Sequence, residues 1–372
     1  MSEHQANCYP QPSEGWSRSF RVVKNAILTP PEVFGGFPVC GVYGPDGDEP
    51  FAAHWREDKL ISRPVLDPPT PVEHLSGTHV FGAFLYGHFG HFMLEATTRL
   101  WMTDIEKPES YLFMPRRDVL SEIRGWHKEV YDILIPDIPT RLVSKPVSVE
   151  TLIIPGQGFG LGTIVEGTPE FRFMLRKRIE EVPADGPEKV YISRSRNPNF
   201  ASVLNENVLE ENLKAQGYAI LYPEKMTILE QLSWYKSATH VVGTDCSALH
   251  LFGFAANPDK NVSIILRRNT NDYVHIARQI KAMIGRSPEV INSLTHQWVQ
   301  DLTKDGNHKS YGEIDFQETG LRLKEAGLVD DLNRWRCPSA EEQEVSVERS
   351  NKRKEKPLKR KEVGVRLPCE AI

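Results

Sequence analysis

Between residues 190 and 266 the chain alternates short apolar runs of strand type with runs of helical periodicity, and nothing else in it limits the fold as strongly. Val190–Ser193, Tyr218–Leu221, His240–Gly243 and Val262–Leu266 read as short buried strands, with helices over Glu206–Gln216, Thr227–Ser237 and from Ser247 onward. Parallel strands need a crossover connection, usually a helix, so this alternation predicts βαβ units and a parallel sheet. A looser version precedes it. Thr78–Phe84 reads as a strand broken by Gly87, His88–Trp101 as a helix, Tyr111–Met114 as a strand, residues 117–134 as a helix, and Thr151–Ile154 as a strand closed by PGQGFGLG. A helix over Phe171–Glu181 then runs into VPADGPEK, which has linker composition.

At 372 residues and 40% hydrophobic content the chain can bury two cores. The expected fold class is therefore α/β with two Rossmann-like domains facing a cleft, 1–182 and 187–290, followed by a helical segment at 291–339. Asp315, three residues before Glu318, reads as a helix cap in that segment. Residues 10–75 are rich in Pro and Gly and predict short strands and loops without clear order. From 340 to 372 a disordered basic tail is expected, because RSNKRKEKPLKRK sets eight Lys or Arg against Glu355 with little apolar to bury.

Charge and cysteine usage exclude several classes. A net charge of -5 offers nothing to nucleic acid. Five scattered cysteines without a C-x-x-C pair fit neither a disulfide framework nor a zinc knuckle. With no signal-like N-terminus and no long apolar run, a cytoplasmic location is expected, with peripheral membrane contact through the basic tail as an option.

Three segments can carry chemistry. In GHFGHFMLEATTRLW, helical spacing puts His88, His91, Glu95 and Arg99 on one stripe beside an apolar one, so His91 or Glu95 can serve as a general base, with His88 and Arg99 lining an acceptor-side cleft. The bland alternative is a solvated helix with Glu95 and Arg99 as an i, i+4 ion pair; a metal site lacks the H-E-x-x-H pattern. In VYISRSR, Arg194 and Arg196 sit at the carboxyl end of a strand, where guanidinium forks can hold a diphosphate or simply face solvent. In HVVGTDCSALHLFGF, a strand runs through Gly243 into a helix starting near Ser247, which offers an anion-binding N-terminus; Asp245 and Ser247 can equally be caps, and His250 can reach a ligand or complete the core. Cys246 as a nucleophile would need a base, for which His240 and His250 are the local imidazoles, each with a structural reading of its own, and PGQGFGLG is a weak dinucleotide signal.

Taken in order and spacing, GHFGHFMLEATTRLW, VYISRSR, NENVLEENLKAQGY and PEKMTILEQLSWYKSATHVVGTDCSALH resemble glycosyltransferase family 61, which includes bacterial capsular-polysaccharide proteins, plant xylan-modifying transferases and animal O-glycan N-acetylglucosaminyltransferases. The resemblance spans about Phe81 to Arg267. It implies a GT-B architecture and inverting transfer from a nucleotide-sugar, a UDP-sugar foremost, to a glycan, polysaccharide or lipid-linked glycan; with the helix N-terminus and the arginines acting together no cofactor is required and no metal strictly so, and dependence on a divalent cation is left open. Arg194, Arg196, Glu224, Ser247 and His250 fall at donor-binding positions, and Asp245 joins His91 and Glu95 as a catalytic candidate. Many members read G-x-H-G-[AS]-x-L where this chain has Gly243, Thr244, Asp245, Cys246, Ser247, Ala248 and Leu249. A carboxylate at that point repels a diphosphate unless a cation offsets it, so a nucleotide-sugar-binding protein without catalysis is the rival expectation. A metal hydrolase on His88, His91 and Glu95 is a third.

Overall fold

The structure is a computed structural model that describes the chain apart from residues 1–8, 13–14, 33–37, 63–66, 117–120, 198–200, 304–305, 353–355, 365 and 367–372. It divides into two compact units, Met1–Glu181 and Val182–Ile372. Cys8, Cys369 and the start of the helix expected at 117 lie outside the described residues. No helix among the described residues is long and apolar enough to cross a membrane.

The first unit contains β1 (Phe20–Thr29), β2 (Gly41–Gly44), β3 (Gly47–Asp48), the hairpin of β4 (Trp55–Arg56) and β5 (Lys59–Leu60), β6 (Glu73–Leu85), β7 (Ser110–Pro115), α1 (Trp126–Leu134), β8 (Thr140–Leu142), β9 (Val147–Pro155) and α2 (Pro169–Glu180). Its seven-stranded sheet runs β3-β2-β1-β9-β6-β7-β8. Strands β9, β6, β7 and β8 are mutually parallel, whereas β1 runs antiparallel to β9 from Phe20↔Pro155 to Leu28↔Val147. The sheet is thus mixed rather than parallel throughout. Its antiparallel part comes from the Pro- and Gly-rich segment, where β1 exposes Phe20 and Val22 and so shows no clean alternation.

Among the parallel strands the order β8-β7-β6-β9 reverses direction between β6 and β9, which opens a crevice at their carboxyl ends. A bulge near that end of β6 prepares it. Gly82 is the extra residue, the register shifting between Phe81 and Ala83, and Ala83 takes φ 72°. Gly82 must lack a side chain, since a Cβ would fall 2.4 Å from the Phe113 ring. The kink re-aims the residues that follow.

On the other side of the crevice, the glycines of PGQGFGLG serve close packing. Trp101 Nε1 donates to Gly156 O at 3.1 Å, and Gly158 N donates to Thr98 O at 2.9 Å. A Cβ on Gly156 would come 2.0 Å from the main-chain oxygen of Trp16, and one on Gly158 2.7 Å from the Trp101 ring. Gly156→Ala should therefore destabilise the protein by about 1–3 kcal/mol, the usual cost of overpacking. Urea denaturation checks this, and an unchanged midpoint would show that the loop has room to spare.

The second unit contains β10 (Lys189–Ile192), α3 (Glu206–Ala215), β11 (Ala219–Leu221), α4 (Ile228–Ser237), β12 (His240–Thr244), α5 (Ala248–Ala255), β13 (Asn261–Ile265), α6 (Tyr273–Ile284), β14 (Glu289–Ile291), β15 (Leu294–Val299), β16 (Tyr311–Ile314), α7 (Phe316–Glu325), α8 (Ala340–Lys352) and β17 (Lys359–Glu362). Five parallel strands run β11-β10-β12-β13-β14, with Ile192 beside Gly243. This is a doubly wound order whose switch point lies between β10 and β12. Thr227 caps α4 in a full capping box with Glu230.

Two expectations fail in this unit. The segment after 291 is not helical throughout, because β15 pairs with β16 and β17 in a small antiparallel sheet. Its burial alternates only partly, and the polar pair His296 and Gln297 hides the strand in the sequence. Asp315 does cap α7, accepting from Glu318 N at 2.9 Å. The tail, expected to be disordered, carries α8 and β17. Leu358 is buried with Ala201, Leu204 and Tyr311, while Arg360 forks onto Glu313 and Arg366 reaches Glu318 at 2.7 Å. Its charges are matched by acids far away in sequence, which composition does not reveal.

Candidate active-site constellations

After β6 the chain passes Tyr86 and Gly87, makes a single α-turn over Phe89–His91 and continues in a π-helical turn over Phe92–Ala96. The continuous helix expected from His88 to Trp101 is thus interrupted. Thr97 Oγ1 donates to Met93 O at 2.7 Å and Thr98 Oγ1 donates to Phe159 O, both drawing the backbone away from helical continuation. Consequently His88, His91, Glu95 and Arg99 do not share one solvent face. His88 is exposed, the His91 side chain is 40% exposed, and Glu95 and Arg99 are wholly buried.

Glu95 is the centre of the first constellation. Arg56 donates from Nε at 2.8 Å and from Nη2 at 3.0 Å to its two oxygens, His91 Nδ1 lies 2.7 Å away, and Tyr86 OH donates at 3.3 Å. His54 Nε2, also wholly buried, stands 3.9 Å off, beyond hydrogen-bond reach. Burial pushes the Glu95 carboxyl up, but the surrounding His54, His91 and Arg56 outweigh that and hold it well below the usual carboxylate range. Burial likewise lowers the His54 imidazole, which favours its neutral form.

Arg99 does not pair with Glu95. Its Nη2 donates to Ala53 O at 2.6 Å, and its guanidinium lies between the rings of Trp16 and Phe81, at 5.5 and 5.3 Å. Burial brings its pKa down to about 9. Rather than lining a cleft, Arg99 braces the hairpin that carries Arg56. Gln157 braces the same hairpin, accepting from Trp55 N at 2.6 Å and donating to Trp55 O at 3.0 Å. The loops after β6 and β9, on either side of the crevice, therefore fix Arg56 against Glu95. An ionised carboxylate only accepts, so His91 Nδ1 is the donor in this contact. Among the described residues, no group of three or more His, Cys, Asp or Glu side chains is placed to hold a metal ion.

The second constellation occupies the carboxyl edge of the second unit's sheet. Helix α3 fixes the turn after β10 from behind. Glu206 accepts from Tyr191 OH at 2.8 Å, Ser202 Oγ at 2.5 Å and Arg194 N at 3.0 Å, and Glu210 from Ser193 Oγ at 2.6 Å and Tyr222 OH at 2.8 Å. Burial raises the Glu206 carboxyl. Arg194 is half-buried and donates from Nε to Ala201 O at 3.0 Å, while exposed Arg196 sits 4.2 Å over the Tyr222 ring. Stacking of this kind orders a guanidinium without neutralising it.

Beyond β11, Glu224 is exposed on the turn Pro223–Lys225. Ser247 precedes α5 but makes no side-chain capping bond, so that helix end is not closed by its own residue. His250 belongs to the packing of α5 on α6. Its Nδ1 is 2.7 Å from Gln279 Oε1, Gln279 Nε2 donates back to His250 O at 2.9 Å, and only 7% of the residue is exposed. Cys246 is buried.

Asp245 is wholly buried and does not cap α5. Arg267 Nε stands 2.9 Å from Oδ1 and Arg268 Nε 3.2 Å from Oδ2, so the repulsion expected of this carboxylate is offset on both sides. Burial lowers the Arg267 pKa to about 10, with Arg194 and Arg268 lowering it further against the pull of Asp245. Neither Arg267 nor Arg268 stands out in the sequence by motif. They occupy the same kind of position, just past a strand end, that marks Arg194. His54, Arg56 and Tyr86 carry no comparable signal.

A mixed, parallel-rich sheet in the first unit and a five-stranded parallel sheet crossed by helices in the second are compatible with a Rossmann-like α/β fold. Residues 89–263 match the model of the family described as Glycosyltransferase 61. That stretch, just under half of the chain, is similar to glycosyltransferase family 61, a likeness that supports a glycosyltransferase. No curated protein matches the chain. The matched stretch includes His91, Glu95, Arg194, Arg196 and Asp245 but stops short of Arg267 and Arg268, and it begins after His54 and Arg56.

Proposed function

We propose that the protein transfers a sugar, with inversion, from a nucleoside-diphosphate donor, a UDP-sugar foremost, to a hydroxyl of a glycan or polysaccharide. The observation that carries this is His91, held through Nδ1 by a buried carboxylate while its side chain stays 40% exposed. In this reading the acceptor oxygen attacks the anomeric carbon as its proton passes to His91 Nε2. The bond from that carbon to the diphosphate oxygen breaks, and the departing diphosphate takes the electron pair. Glu95 is not itself the base, because a carboxyl held strongly ionised and forked by Arg56 accepts protons poorly; it steadies the imidazolium that forms. Arg194, Arg196 and the open end of α5 would meet the diphosphate charge. The two units then act as the acceptor and donor halves of a GT-B enzyme.

Arg194→Ala is expected to lower kcat/KM by roughly 10²–10³-fold, since one positioned donor to developing charge contributes about 2.7–4 kcal/mol. Steady-state assay of nucleoside-diphosphate release, with folding checked by circular dichroism, decides the point. Unchanged kinetics would remove Arg194 from the site. Donor binding without release by the wild-type protein would favour the binding-protein reading, to which the Asp245 and Cys246 departures first point.

A further inference from the structure

The turns after β12 and β13 meet where Asp245 N donates to Ile265 O at 3.0 Å, beside the switch point of the second unit. Asp245 is gripped there by two consecutive arginines, but the grip is incomplete. Arg267 Nε gives its hydrogen to the main-chain oxygen of Asp245 at 3.0 Å, and Asp245 Oδ1 has no hydrogen-bond partner among the described residues although that nitrogen is only 2.9 Å away. A wholly buried carboxylate oxygen left in that state is uncommon and calls for an explanation.

The two arginines differ in what they can do. Arg267 is 3% exposed and also donates from Nη1 to Ser310 O at 3.3 Å, so it is built into the fold. Arg268 has a side chain 12% exposed, bonds Asp245 through Nε at 3.2 Å, and reaches through Nη1 to Asp272 at 2.7 Å, whose side chain is 56% exposed. Arg194 stands near enough to depress the Arg267 pKa, and Glu206 lies near enough to Arg194 to feel its charge. The cluster lies at the sheet edge where α/β folds take their ligands.

We infer that Arg268 is a diphosphate-binding residue of the donor site, and that the Asp245 carboxylate is its resident counter-ion, which the donor's diphosphate displaces. This rests on the donor reading above. A phosphate oxygen presents the same acceptor geometry to a guanidinium as a carboxylate oxygen does, so exchange costs Arg268 little. Arg267, which stays in place, keeps the abandoned Asp245 paired. A plain structural clasp between the ends of β12 and β13 is the competing account, and it predicts the opposite response to neutralising the acids.

Inorganic pyrophosphate is a suitable probe because it carries the diphosphate without base or sugar; UDP serves as the second probe. Calorimetric titration of the full chain at fixed ionic strength should show Asp245→Asn binding both ligands roughly tenfold tighter than wild type, because one competing charge has been removed. Asp272→Asn, at a solvated position that tolerates change, should shift affinity the same way by a smaller factor, and it keeps the test alive if the buried variant fails to fold. Arg268→Gln should weaken pyrophosphate binding by at least tenfold. Wild type that binds pyrophosphate or UDP while an Asn variant that folds binds equally or more weakly overturns the counter-ion exchange and leaves the donor reading standing. Wild type that binds neither ligand overturns both.

Discussion

His91→Ala should lower kcat by about 10²–10⁴-fold, the range that a positioned general base contributes, while the protein still folds and still binds nucleotide. The side chain is 40% exposed and makes one strong polar contact, to Glu95, so its loss leaves the Arg56 fork on that carboxylate intact. Donor affinity, in this account, is set by residues of the second unit. A kinetic loss confined to kcat is therefore expected, and calorimetry with UDP beside a transfer assay separates the two quantities. Turnover within a factor of two of wild type would show that another group takes the proton.

Glu95→Gln should cost about 1.5–3 kcal/mol in stability, because it removes a wholly buried carboxylate's charged hydrogen bonds to Arg56, whose side chain is 31% exposed. Arg56→Met should be destabilising for the same reason, and the double variant should cost less than the sum of the single ones. The effect depends on pH in a fixed direction. The Glu95 carboxyl is held well below its ordinary value in the folded protein, so its ionised contacts contribute fully above the unfolded-chain value near ~4.3. That contribution is lost as pH falls through the lower folded value. The gap in urea stability between wild type and Glu95→Gln should thus be level near neutrality and shrink in acid; a gap that widens on acidification would contradict the ion-paired assignment.

Much of the second unit is legible in the amino-acid sequence because its strands are unbroken apolar runs set between helices with clear starts. Val190–Ser193 and Val262–Leu266 fall within a residue of β10 and β13. The same logic fails for β1, whose exposed Phe20 and Val22 mimic an irregular segment, and for β17, whose strand-forming residues are charged and held by pairing with β15. At the site, His91 and Glu95 are visible together because they lie four residues apart. The cation that completes the pair is not, since Arg56 comes from 39 residues upstream and is set in place by Gln157, 102 residues from its anchor at Trp55. Arg99, at the right helical spacing from Glu95, is the natural choice from sequence; the π-turn and the threonines carry it away into the core. Asp245 looks like a defect in a donor motif for a related reason, as its two arginines follow the next strand and only the fold brings them to it.

Release of nucleoside diphosphate from a panel of nucleotide-sugars, each supplied with and without a glycan acceptor, puts the central claim to its most direct trial. The account predicts acceptor-dependent release from a preferred donor by the wild-type protein, retained donor binding with release slowed about 10²–10⁴-fold by His91→Ala, and kcat/KM lowered roughly 10²–10³-fold by Arg194→Ala. Wild-type release by both variants, or no release from any donor by the unaltered chain, would contradict it.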